Sequence, residues 1–341
     1  MQLRLLGLLA CPKCRRELTC APAEWDEAGG VLTGTLSCVG CGAGFPIERG
    51  IPRFVPRENY ASSFGYQWTT FKFVQVDSRS GLPLSERRWY AETGWTQEWL
   101  EKKWVLDVGC GAGRFLDVAS KAGCDVVGVD ISEAVDAAAV TMKGRPNVHL
   151  VQASVYELPF RSDAFDGCYC IGVLQHTPDP EKALRALPRV LAPGGRLAVT
   201  IYERKPWTKL YAKYLLRPLT KRMNKKALLT AIKVLMPVLF PITEVLFRIP
   251  YAGRLMAFLI PVANYVQTPE LSLRQRYEWA ILDTFDMLSP RFDQPMTQEA
   301  GERALRQEGI EARRLNNPGL NLVGERPAGA RTAIASGHGG A

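Results

Sequence analysis

The sequence predicts an α/β fold: a parallel sheet with helices on both faces, a small cysteine ribbon ahead of it and a helical cap inserted late in the chain. Three observations carry this. Trp104-Val-Leu-Asp-Val108 is an apolar run that ends in Gly109, Gly111 and Gly113. A second apolar run, Asp125-Val-Val-Gly-Val129, ends in Asp130. Two CxxC pairs, Cys11-Pro-Lys-Cys14 and Cys38-Val-Gly-Cys41, precede both.

The 341 residues are 47% hydrophobic and 23% charged, enough for a full core and about two domains. Disorder, collagen-like repeats and a disulfide miniprotein are excluded. The net charge of +9 points to an anionic partner, a membrane surface or a nucleic acid. Nine cysteines, an odd number with CxxC pairs among them, suit a reducing compartment. A cytoplasmic setting is expected, with membrane association left open. Leu8-Leu9-Ala10-Cys11 has the outline of a lipoprotein processing site, but only Arg4 is charged ahead of it and the apolar run is short. No stretch of 18 clean apolar residues stands in the chain, so no transmembrane segment is expected.

The ribbon comes first. The chain between the CxxC pairs is rich in Gly and Thr and reads as hairpin strands. Each CxxC lets two sulfurs converge from one tight turn, and four thiolates suit tetrahedral zinc. With Cys11, Cys14, Cys38 and Cys41 as ligands no position is left for water, so the zinc is structural. Disulfides or free thiols are the alternative, and Cys20 reads as a small packed hydrophobe. The stretch Phe45-Pro-Ile47, followed by Gly50-Ile-Pro52, resembles the final strand of Trm112-type zinc ribbons. The resemblance covers about residues 1–56. Such ribbons accompany methyltransferases as partners or fused domains.

Trp104–Val108 reads as a buried parallel strand, and the glycines after it turn the chain and admit a ligand close to the backbone. Phe115 to Ala122 has helical spacing. Asp130 stands about 20 residues past the loop, where an acid can hold ribose hydroxyls. A dinucleotide site shares these features but needs a sixth-position glycine, where this chain has Arg114. The G-x-G-x-G pattern instead resembles motif I of class I S-adenosylmethionine (SAM) methyltransferases, whose sheet is Rossmann-like. Further segments follow in that superfamily's order. Val148–Gln152 resembles the third strand, Ala153 to Phe160 the adenine loop, Phe165 to His176 the fourth strand and active-site edge, and Leu191 to Tyr202 the turn and fifth strand. The resemblance implies SAM contacts from Asp107, Gly109, Cys110, Gly111, Gly113, Asp130, Ile131, Ser154, Val155, Ile171 and Gly172. Ser154 stands where the family usually has an acid, which implies weaker adenine binding.

His176, just past the fourth strand at the ligand-facing end of the sheet, is the candidate general base or a wall of the pocket. His149 and His338 lack such a setting. Cys168 and Cys170, two apart on one strand, read as core packing. No Asn-Pro-Pro-Tyr follows the fourth strand, against methylation of nucleobase amino groups.

Residues 57–103 are aromatic-rich and suit either a lid or packing between ribbon and core. Residues 203–290 are an insertion, basic first and apolar after. Pro237, Pro241, Pro250 and Pro261 are expected to break the apolar part into short helices that cap the site. Basic then apolar fits a solvated face over an ordinary core, a lipid-linked substrate, peripheral membrane contact through 203–266, or RNA phosphates. Asp283 and Asp286 share a helix face, with a surface or capping role expected before contact with substrate. Thr297 to Gly309 reads as the last helix, and segments near 310–315 and 321–326 as final antiparallel strands.

The expected organisation is a ribbon over 1–56, a lead-in or lid over 57–103, a SAM-binding core over 104–202, a cap over 203–290, the end of the core over 291–326 and a disordered tail over 327–341. The function these readings support is SAM-dependent methyl transfer to a small-molecule or lipid-linked acceptor, with O-, N- or C-methylation open. An rRNA or tRNA methyltransferase, and a non-catalytic SAM-binding partner protein, are the alternatives.

Overall fold

The computed structural model describes residues 1–56 and 59–329. His338 and the expected tail from residue 330 lie outside the described residues. The ribbon opens with α1 (Leu3–Leu6) and continues as a four-stranded antiparallel meander: β1 (Leu18–Trp25), β2 (Val31–Cys38), β3 (Gly44–Glu48) and β4 (Ile51–Pro52). A lead-in of α2 (Ser62–Thr70), α3 (Asp77–Ser80), α4 (Leu84–Thr93) and α5 (Gln97–Leu100) follows.

The main sheet has seven strands: β5 (Trp104–Val108), β6 (Asp125–Asp130), β7 (Val148–Gln152), β8 (Phe165–Ile171), β9 (Leu191–Ile201), β10 (Arg313–Leu315) and β11 (Leu320–Glu325). Their order is β10-β11-β9-β8-β5-β6-β7. Strands β5 to β9 run parallel, and β11 pairs antiparallel with both β9 and β10. Alternation along the strands explains the two apolar layers. Leu106, Val108, Cys168 and Cys170 enter one core cluster, and Val105, Tyr169 and Ile171 the other. The first layer is covered by α8 (Pro180–Ala186) and α13 (Gln298–Gln307), the second by α4 and α6 (Arg114–Lys121). Caps fix the starts. Asp179 accepts from Lys182 N with Pro180 in the first turn of α8, and Thr297 accepts from Ala300 N at α13. Helix α7 (Ala134–Thr141) links β6 to β7.

The ribbon is built into the first layer. Leu5, Leu9, Leu36 and Ile47 share one apolar cluster with Val151 and Phe160. Phe54 N donates to Gln152 O at 2.8 Å, and Ala10 N to Pro159 O at 2.9 Å. Arg53 is buried at the junction, its guanidinium 2.8 and 3.1 Å from the Asp136 carboxylate oxygens and 2.9 Å from Gln152 Oε1.

The cap consists of α9 (Ala212–Thr220), α10 (Lys225–Leu246), α11 (Ala252–Leu259) and α12 (Leu273–Leu288). The expectation that its prolines enforce short helices is corrected here. Helix α10 runs unbroken through Pro237 and Pro241 for 22 residues. Both prolines are exposed. The carbonyls that lose an N–H partner, those of Lys233 and Pro237, are on residues open to water. Pro250 and Pro261 do stand at breaks, before and after α11. By length and composition α10 would suffice to cross a bilayer, with mean hydropathy 1.7 over its most apolar window. A third of that window is buried against the protein.

Candidate functional site

A cavity of about 580 Å³ opens at the carboxyl ends of β5, β6 and β8 and runs under the cap. Its floor is the turn after β5. Gly109 and Gly111 hold φ of +81° and +53°, where side chains are strained. A Cβ on Gly109 would lie 2.5 Å from both methyls of Val173, and one on Gly111 3.0 Å from Trp68 Nε1. The turn thus leaves bare backbone facing the cavity. Gly111 N donates to Asp130 Oδ2 at 3.0 Å, while Ser132 N and Oγ donate to Asp130 Oδ1 at 2.8 and 2.7 Å. Burial raises Asp130 above the usual carboxylate range, and these three hydrogen bonds oppose the shift.

Of the residues singled out in sequence, Gly109, Cys110, Gly111, Asp130, Ile131, Val155, Ile171, Gly172 and His176 all line this cavity. Asp107, Gly113 and Ser154 are outside the described lining. Asp107 is buried beneath the loop, where burial raises it well above the usual carboxylate range and the Tyr169 hydroxyl opposes the shift. Gly113 caps α6, and a Cβ there would meet Thr141 Oγ1 at 3.1 Å. Ser154 stands at the edge of the cavity wall. Its hydroxyl accepts from Tyr156 N at 3.2 Å and caps a short turn, leaving Ala153 and Val155 to form the wall.

His176 is buried in the far wall. Its Nδ1 lies 3.1 Å from the Phe292 carbonyl oxygen, which only accepts, so Nδ1 carries the proton. In the neutral ring Nε2 then bears the lone pair. The rings of Phe64 and Tyr202 flank it at 5.1 and 5.6 Å. His149, by contrast, is buried beside Trp104, and burial pushes it down to about 4.

Sequence reasoning missed a polar cluster on the cap side. Asp283 and Asp286 on α12 line the cavity, which corrects the expected surface role. Gln75 Nε2 lies 3.3 Å from Asp283 Oδ1, and Gln67 Nε2 donates to Asp286 Oδ1 at 3.1 Å. Burial, reinforced by the neighbouring Asp286 charge, raises Asp283 to about 7, against the pull of Arg114 and Arg88. Arg114 donates to Ser85 Oγ and Gln75 Oε1, both at 2.9 Å. Burial, then Arg88, lowers it to about 9. The i, i+3 spacing of the two acids was visible in sequence, but their inward direction goes with glutamine partners on α2 (Gln67) and in the turn before α3 (Gln75).

The aromatic lead-in borders the cavity and packs on the second layer of the core, rather than between ribbon and core. Tyr60, Phe64 and Trp68 line the cavity. Trp89, Trp95 and Trp99 pack below it, with Trp89 edge-on to Tyr169 at 5.4 Å. Cys168 and Cys170 are fully buried, as packing requires.

At the ribbon, all four cysteine sulfurs lie within 4.8 Å of one another. Zinc about 2.3 Å from each sulfur would set them about 3.8 Å apart. Cys11 to Cys41 is 3.7 Å and Cys14 to Cys38 is 3.3 Å. Cys41 N and Gly40 N donate to Cys38 Sγ at 3.4 and 3.3 Å, holding that thiol down to about 6. The donor set fits a closed structural zinc site.

Residues 106–199 match the family model for a methyltransferase domain, and residues 2–50 that for Trm112p-like protein. A ubiquinone biosynthesis O-methyltransferase of Alkalilimnicola ehrlichii is 34% identical over 129 residues, 36% of this chain and 52% of that protein. The Pseudomonas fluorescens protein of the same name is 34% identical over 119 residues, 33% and 50% of the two chains. The chain spans about half the length of the curated relatives it matches. A solved O-methyltransferase family protein from Burkholderia thailandensis overlaps 79% of this chain and 64% of its own, at 12% identity and TM-score 0.47.

Proposed function

For a chain that joins a Trm112p-like zinc ribbon to a class I methyltransferase domain, we propose SAM-dependent methyl transfer to a small-molecule or lipid-linked acceptor, at oxygen. One observation carries this reading. A single cavity joins the bare glycine turn and Asp130 at one end to His176, Tyr202, Asp283 and Asp286 at the other. The relatives named for O-methylation support oxygen as the acceptor atom.

Bound SAM supplies a methyl group already activated for displacement. The chain's own residues position, shield and deprotonate. The backbone of Gly109 to Gly111 admits the methionine part, and the buried Asp107 carboxyl group beneath it suits a positive amino group, which would favour its charged form. Asp130 holds the ribose hydroxyls, and its bond to Gly111 N ties ribose end to methionine end. Ile131 and Val155 flank the adenine. Ile171 and Gly172 border the channel toward the acceptor. Trp68, Tyr60 and Phe64 exclude water from above, so that alignment supplies much of the rate, about 7–11 kcal/mol in well-oriented systems. The role of taking the acceptor's proton is assigned to His176 through Nε2 or to Asp283, both of which line the cavity.

The test is label transfer. Purified protein is incubated with methyl-labelled SAM and an extract of source cells, and RNA, lipid and polar fractions are separated. Label in the lipid or small-molecule fraction supports the reading. Label in RNA that vanishes with ribonuclease overturns it.

A further inference from the structure

The cap carries a second face that the cavity does not use. Helix α9 is turned inside out relative to an ordinary surface helix. Its cations point inward: Lys213 Nζ lies 2.8 Å from Asp293 Oδ2, and Arg217 donates to the Met287 and Pro290 carbonyls at 2.9 and 3.0 Å. Its leucines point outward, with Leu215 75% and Leu219 69% exposed. Helix α10 is apolar on two sides. Leu229, Ile232, Met236 and Phe240 pack with Ile281 and Phe285 of α12. Val234, Val238, Ile242 and Val245, at helical spacing along the other side, are exposed. Leu255 and Leu259 of α11 are exposed as well. Residues 207–259 hold 14 of the 21 exposed large hydrophobic side chains among the described residues, so this is a face rather than scatter.

The same segment carries the molecule's positive charge. Residues 203–266 contain twelve Lys and Arg against Glu203 and Glu244, a net +10 in a chain of net +9. Everything outside it is therefore −1. Arg204, Lys209, Lys221, Arg222, Lys226 and Arg254 are exposed and make no ion pair among the described residues.

We propose that helices α9 to α11 dock this face into the interface of an anionic lipid bilayer. Exposed leucine and valine beside unpaired cations is the pattern such a surface takes. Nucleic acid would use the cations and leave the leucines in water. A second copy would set +10 against +10. The inner side of the same cap lines the cavity through Tyr265, Thr268 and Met287, so a docked cap holds the cavity beside the lipid.

The experiment is flotation of the full chain with vesicles of mixed phosphatidylglycerol and phosphatidylcholine, against phosphatidylcholine alone, over a range of salt. The chain is expected to float with the anionic vesicles and to partition at least about tenfold less onto neutral ones or at high salt. Leu215→Glu with Leu219→Glu is expected to lower partition about tenfold while melting and S-adenosylhomocysteine binding stay unchanged. Leu215→Ser with Leu219→Ser gives a milder loss of the same kind. Failure to float overturns the proposal, as does flotation indifferent to the leucines. So does a stable dimer in sedimentation that these substitutions dissolve, or RNA binding that displaces the vesicles and ignores the leucines. A chain that floats without binding S-adenosylhomocysteine upholds this inference and removes the methyl-transfer reading.

Discussion

Replacing Arg53 by methionine tests whether ribbon and core form one cooperative unit. The Arg53 side chain is 4% exposed and bridges the two, with two bonds to Asp136 and one to Gln152. Methionine keeps most of the volume and removes every donor. The bonds to a carboxylate are worth about 1.5–3 kcal/mol and the bond to Gln152 about 1. Asp136 keeps Arg49 at 3.1 Å and some access to water, so its charge is not stranded. The expected loss is therefore about 3 kcal/mol, below the upper range for breaking a fully buried pair. At about 2.1 cal/mol/K per residue, 341 residues that melt together lose about 1.4 °C per kcal/mol, so melting should fall by roughly 4 °C in one transition. Gln152 Nε2 also donates to Ile131 O, next to Asp130, so S-adenosylhomocysteine binding should weaken several-fold. Circular dichroism on heating, with calorimetric binding, reads both. A shift under about 2 °C, or a ribbon that melts alone while the core transition stays put, would refute the coupling.

Chelation of zinc, or Cys11→Ser, is expected to lower the melting of the whole chain, because Leu9 and Leu36 leave the cluster they share with Phe160; calorimetry with and without chelator checks it. Asp130→Asn keeps the Ser132 bonds but sets an NH2 against Gly111 N–H, so S-adenosylhomocysteine affinity should fall about 10- to 100-fold, measured by titration calorimetry. Asp283 in the folded chain holds a proton up to about 7, which the unfolded chain releases near 4. Its contribution to stability therefore falls as pH rises from about 4 to 7 and is flat above; Asp283→Asn should flatten that slope in melting-versus-pH curves. Were Asp283 the base, activity would rise through pH 7 in the native chain and lose that limb in the variant.

The sheet and the glycine turn were legible because both rest on local signals. A buried strand needs an apolar run, and a ligand-facing turn needs residues that tolerate positive φ. The ribbon was legible from sulfur spacing alone. Helix α10 was misjudged because the cost of Pro237 and Pro241 depends on whether their freed carbonyls meet water, which is set by the packing of α12. Asp283 and Asp286 were misjudged for a related reason. Their direction is fixed by Gln75 and Gln67, more than 200 residues earlier.

Calorimetric titration of the purified chain with S-adenosylhomocysteine, and in parallel with NADH, bears most directly on the cavity's identity. The expected result is one S-adenosylhomocysteine per chain, displaced by SAM, with no heat from NADH. Binding of NADH, or an inert response to S-adenosylhomocysteine by a well-folded, zinc-loaded chain, would contradict the assignment of the glycine turn and Asp130.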